Sequence, residues 1–104
     1  MSTFEETVEK SFDIQQAKKN IREQNQQSLT IAVNGGLFKI TPELIVFANM
    51  FAEQEEIVLE DSYGNPVKIT NIQDFIYKCK IKYQEVMNNW LAEYDQAKSI
   101  RKPQ

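Results

Sequence analysis

Histidine is absent from the 104 residues. That absence removes histidine-dependent nucleophilic triads, histidine general bases and histidine metal ligands together. One cysteine, Cys79, cannot form an internal disulfide, and it reads as a small apolar residue in a reducing compartment. No apolar run approaches the roughly 20 residues that span a bilayer. The first residues, Met1 to Glu6, are polar and acidic without an apolar segment, so no signal peptide is expected. The formal charge of -3 gives no global attraction to nucleic acid or anionic membrane. What is present is ordinary for a folded domain: 41% apolar and 26% charged residues. The length suits a single domain with a modest core. The expectation is a soluble, cytoplasmic protein.

Residues 1–27 are rich in Gln, Glu, Lys and Asn. Phe4 and Val8 form one helical pair, and Ile14, Ala17 and Ile21 form another set. At 100° per residue the two sets drift apart, so a break or second cap near Ser11 to Asp13 is expected, with the helix proper from about Asp13 to Gln24. It reads as an arm that covers the sheet or pairs with the C-terminal helix. Residues 28–104 then form a double ββα domain. Leu29 to Val33 is a strand meeting Asn34-Gly35, a hairpin signal because a type I′ turn needs positive φ at both central positions. Leu37 to Ile40 returns. Thr41-Pro42-Glu43 opens a short helix, Leu44 to Ala52, with a capping hydroxyl, proline at the first helical position and an early acid. This helix is apolar nearly all round, which predicts burial in the core or at an interface. Ile57 to Leu59 and Val67 to Ile69 give a second hairpin around Gly64, and Pro66 is tolerable as the first residue of its strand. Superposing Gly35 on Gly64 also brings Lys39-Ile40-Thr41 onto Lys68-Ile69-Thr70. The fold class is α+β, with two β-hairpins forming a small antiparallel sheet, a short buried helix, a polar N-terminal helix and a long C-terminal amphipathic helix.

The long helix begins after a cap at Thr70 or Asn71, and no Gly or Pro interrupts it before Pro103. Ile72, Ile76, Cys79, Tyr83 and Val86 step by fours and threes as a heptad seam, with Phe75 beside Ile76. About 30 helical residues extend roughly 45 Å, against a radius of gyration near ~13 Å for a compact chain of this size. Its distal apolar residues therefore need a cover. Val86, Met87, Trp90, Leu91 and Tyr94 are the candidate interface, and a homo-oligomer, foremost a dimer, or another protein partner is the expected occupant. Phe47, Phe51 and Phe75 are assigned to the core.

Other constellations are weaker. Lys78, Lys80 and Lys82, interleaved with tyrosines, form the one basic concentration and give an alternative set of nucleic-acid contacts. Lys80 points away from the face shared by Lys78 and Lys82. Glu53, Glu55, Glu56, Glu60 and Asp61 match no EF-hand spacing and read as a solvated acidic face. The glycine turns lie between strands, without phosphate-loop spacing. Lysines flank Cys79 in sequence, but its place on the seam predicts a buried, inert thiol. No catalytic residue, cofactor or metal site is assigned.

Asp61-Ser62-Tyr63-Gly64-Asn65-Pro66-Val67-Lys68-Ile69 and Tyr83-Gln84-Glu85-Val86-Met87-Asn88-Asn89-Trp90 resemble small uncharacterised proteins of T4-like marine tailed phages. The resemblance covers the C-terminal half and carries over no functional residue. It implies an accessory, assembly or virion-associated role, with the protein in the host cytoplasm or the virion. The resulting expectation is a non-enzymatic oligomeric interaction module. The alternative is a small nucleic-acid-binding regulator.

Overall fold

The computed structural model describes the backbone of residues 4–100 and the side chains of residues 13–98. The order is α1 (Phe4–Gln27), β1 (Thr30–Val33), β2 (Gly36–Lys39), α2 (Pro42–Asn49), β3 (Ile57–Glu60), β4 (Pro66–Ile69) and α3 (Ile72–Ile100). This is the expected α+β class. The chain divides into two compact units: Ser28–Val86, and α1 together with α3 from Met87 onward.

Local chemistry accounts for the turns and caps. Asn34 (φ 51°) and Gly35 (φ 83°) supply the two positive dihedrals of the first hairpin, whose register pairs Val33 with Gly36. The second hairpin closes with the Gly64 N–H on the Asp61 carbonyl (3.0 Å), followed by Gly64 itself at φ 79°. Thr41 Oγ1 accepts from the Leu44 N–H (3.0 Å), and Pro42 sits in the first turn of α2. Asn71 Oδ1 accepts from the Asp74 N–H (3.0 Å) and caps α3.

The hairpins differ from expectation in one respect. They form two separate two-stranded sheets, β1-β2 and β3-β4, instead of one. Single latches join them in place of a shared ladder. Leu37 donates its N–H to Asp61 Oδ2 (3.3 Å) and accepts from the Ser62 N–H (2.7 Å). Asn34 Nδ2 donates to the Lys68 carbonyl (2.8 Å). Gly36 makes the close approach possible: a Cβ there would meet Val67 Cγ2 at 2.6 Å. Gly36 therefore answers a packing demand, whereas Gly35 answers a turn demand.

The core of this unit is built from alternate strand residues and one face of α3. Phe38, Ile40, Ile57, Leu59, Val67 and Ile69 are buried, as are Ile72, Phe75, Ile76 and Cys79. Phe38 and Phe75 meet edge to face, with ring centroids 5.4 Å apart. The seam read from the sequence is thus the packed face.

Two expectations are corrected. The break in the N-terminal helix does not occur, because α1 runs unbroken from Phe4 to Gln27. Ser11 and Asp13 are mediocre helix residues, but each costs less than about 0.7 kcal/mol, too little to stop a helix without Gly or Pro. The side chains of Phe4 and Val8, and Pro103, lie outside the described residues. Secondly, α2 is only partly buried. Ala48 is fully enclosed and Leu44, Ile45 and Phe51 are half-buried, but Val46, Met50 and Phe47 are exposed. A helix has one inward stripe, and two narrow sheets offer nothing to cover its other side. The assignment of Phe75 to the core holds, and that of Phe47 does not.

Candidate functional site

The distal part of α3 packs antiparallel to α1. Lys18 Nζ lies 5.1 Å from the centroid of the Tyr94 ring, while Asn25, further along α1, meets residues earlier on α3. Asn25 is only 3% exposed. Its Nδ2 donates to the Ile21 carbonyl (2.8 Å) and to Glu93 Oε1 (3.1 Å), and its Oδ1 accepts from Asn89 Nδ2 (3.0 Å). Asn89 Nδ2 also donates to Glu93 Oε1 (2.6 Å). A buried amide tied to two partners one helical turn apart fixes the register of the pair, because sliding either helix leaves polar atoms unpaired. The N-terminal helix thus supplies part of the cover that the distal apolar residues require.

It does not supply all of it. Met87, Trp90, Leu91 and Tyr94 line an open apolar depression of about 290 Å³. Met87 and Trp90 are half-buried, Tyr94 is at the edge of exposure, and Leu91 is 59% exposed. These four of the five candidate interface residues are brought together. The fifth, Val86, is 4% exposed and belongs to the packed interior. Its neighbour Met87 lies about 100° further round the helix, which is enough to separate a core position from a surface one.

The lysines are not assembled into a site. Lys78 pairs with Asp74 at 2.9 Å, one turn earlier on α3, and Lys80 is exposed. Lys82 is half-buried. Asp74 offsets the charge of Lys78 on the face that it shares with Lys82.

Asp61 leaves the acidic face to which the sequence assigned it. It is 8% exposed and accepts from the N–H groups of Asn65 (2.9 Å), Tyr63 (3.0 Å) and Leu37 (3.3 Å). The Asn65 bond, aided by those from Leu37 and Tyr63, holds its carboxyl below the usual carboxylate value against the upward push of burial. Glu53, Glu55, Glu56 and Glu60 are exposed as expected. Cys79 is fully buried, and burial pushes its thiol up to about 11. A thiol so placed carries no thiolate at neutral pH and is no nucleophile.

The helix that the sequence placed in the core or at an interface presents a surface that was not assigned as a candidate site. Val46, Phe47 and Met50, with Pro42 and Glu43, line a shallow surface on α2. Phe47 continues into a groove of about 350 Å³ with Phe51, Gln54 and β3. The available signal was the alternation Glu56, Val58, Glu60, which places a valine between acids on the outward face of a strand.

Among the described residues no helix is long and apolar enough to cross a membrane. No protein-family model matches the chain, and neither a curated protein nor a solved structure does.

Proposed function

We propose that the chain is a non-enzymatic, self-associating interaction module, with distal α3 as its association surface. The observation that carries this reading is the apolar depression at Met87, Trp90, Leu91 and Tyr94, which stays open after α1 has packed on the same helix. Its residues recur at spacings of three and four, the pattern into which side chains of a second helix interdigitate. A second copy brings the same pattern, and a two-fold axis lets each copy fill the other's depression, the commonest closed arrangement. The buried, unreactive Cys79 supports a non-catalytic role. The resemblance of the C-terminal half to proteins of T4-like phages supports an assembly or virion accessory acting in the host cytoplasm or virion. The nucleic-acid alternative gains no support from Lys78, which is already paired with Asp74.

Mass in solution tests the reading. Sedimentation at tens of micromolar is expected to give a dimer for the native chain and a monomer for Leu91→Glu, with unchanged far-UV circular dichroism. Leu91 is 59% exposed, so its replacement costs the fold little, within about 0.5 kcal/mol for a surface site. A native chain that is monomeric throughout that range overturns the proposal.

A further inference from the structure

The strand edges of the Ser28–Val86 unit are not equally occupied. In the second hairpin the Asp61 N–H bonds the Asn65 carbonyl (2.9 Å), continuing a register that pairs Leu59 with Val67 and Ile57 with Ile69. Mutually bonded pairs alternate with unbonded ones in an antiparallel ladder, so Val58 and Glu60 turn their N–H and C=O groups away from β4. Two of the other edges are latched, each at one residue, and the outward edge of β1 at Thr30 and Ala32 has no flanking acids. Leu37 on β2 bonds Asp61 and Ser62, and the Lys68 carbonyl on β4 bonds Asn34. The outer edge of β3 has no such latch among the described residues. Beside it runs the groove of about 350 Å³, with Phe47, Phe51 and Gln54 facing residues 56–59.

We propose that this edge takes up an extended basic and apolar segment of a partner protein as an added strand. Main-chain bonds to Val58 and Glu60 hold such a segment, and its alternate side chains enter the groove walled by Phe47 and Phe51. Charge selects the partner. Glu56, Val58 and Glu60 share the exposed face of the edge, and among the described residues Lys68 alone pairs with either acid, 3.7 Å from Glu56. Exposed Glu43, Glu53 and Glu55 add to the same sign. A second copy pairing antiparallel about Val58 sets Glu56 against Glu60 twice, and like charges directly opposite are destabilising. A segment with Lys or Arg two residues either side of an apolar residue meets acid, valine and acid in register.

Fluorescence anisotropy with three labelled nonapeptides tests this: alternating Lys/Val, alternating Glu/Val, and Lys/Val with every second amide N-methylated. The first is expected to bind saturably to the full chain and more weakly as salt is raised. N-methylation, or Val58→Pro in the protein, is expected to weaken it about tenfold or more, since each removes main-chain bonds. Proline at position 58 removes an outward N–H and leaves the β3-β4 ladder intact. If Val58→Pro fails to fold, Glu60→Lys and the N-methylated peptide carry the test. Absence of Lys/Val binding, or equal binding of all three peptides, overturns the proposal. So does Lys/Val binding that N-methylation and Glu60→Lys leave unchanged, or a fall in the protein's own mass on Val58→Pro, which marks the edge as a self-interface.

Discussion

Individual residues whose types look interchangeable in the sequence carry different physical duties. Asp61 is one acid in an acidic run, yet its carboxylate ties the second turn to β2 through the Leu37 N–H, beside the bond from the Ser62 N–H to the Leu37 carbonyl. Its folded carboxyl titrates below the unfolded value of about 3.9, so its contribution is complete above that value and is lost as pH falls through the folded one. Asp61→Asn is expected to lower the urea midpoint at neutral pH and flatten this acid limb. Asp74→Asn, which breaks an exposed ion pair, is expected to change the midpoint far less. Gly36→Ala is expected to cost about 1–3 kcal/mol through the overlap with Val67, measured by the same titration. At Gly35 the added methyl meets open space, and only the positive φ opposes it. Cys79 titrates in the opposite sense to Asp61. Between about 9 and about 11 the unfolded thiol ionises first, so stability falls as pH rises, by at most about 1.4 kcal/mol per unit. Cys79→Ala is expected to remove that slope, and native Cys79 is expected to react with a thiol reagent only at the rate of unfolding.

Among the elements, α1 and α2 show how a helix's setting overrides its composition. Polar α1 is long and continuous, and one buried asparagine orders it against α3. Asn25→Ala removes its bonds to Asn89 and Glu93, which remain bonded to each other, and is expected to cost about 1 kcal/mol. Amide exchange is the discriminating measurement: protection is expected to fall in α1 and distal α3, with β1 to β4 little changed. Apolar α2 is the reverse case, short and half out of the core, and its exposed Phe47 rests edge to face on Phe51, 5.2 Å away. Two-stranded sheets need a helix packed on them for stability, and α3 already fills that role with Phe75 and Ile76.

For the molecule as a whole, two surfaces are assigned to two units: distal α3 to self-association, and the β3 edge with α2 to a basic segment. They share no residue, so their energetics are expected to be independent. Leu91→Glu is expected to change sedimentation without changing Lys/Val peptide affinity, and Glu60→Lys to do the reverse. Cross-effects in both variants, beyond a factor of about two, mark the surfaces as one coupled system.

The sequence by itself determined the order and type of the elements and much of their punctuation: the Asn34-Gly35 turn, the cap at Thr41, a cap at Thr70 or Asn71, the four strands and the α3 seam down to Cys79. These depend on neighbours within a few residues, where backbone preference and side-chain period act directly. It also brought out Met87, Trp90, Leu91 and Tyr94 as surplus apolar surface, because helix length and apolar spacing are both local quantities. Tertiary structure alone decided the rest. Whether the hairpins merge into one sheet depends on Asp61 and Asn34 reaching the edges of distant strands. Whether an apolar residue is core or surface depends on what lies opposite, which separated Val86 from Met87 and Phe75 from Phe47. Whether a strand edge stays open depends on the register and on what reaches it, and for the outer edge of β3 no latch does among the described residues.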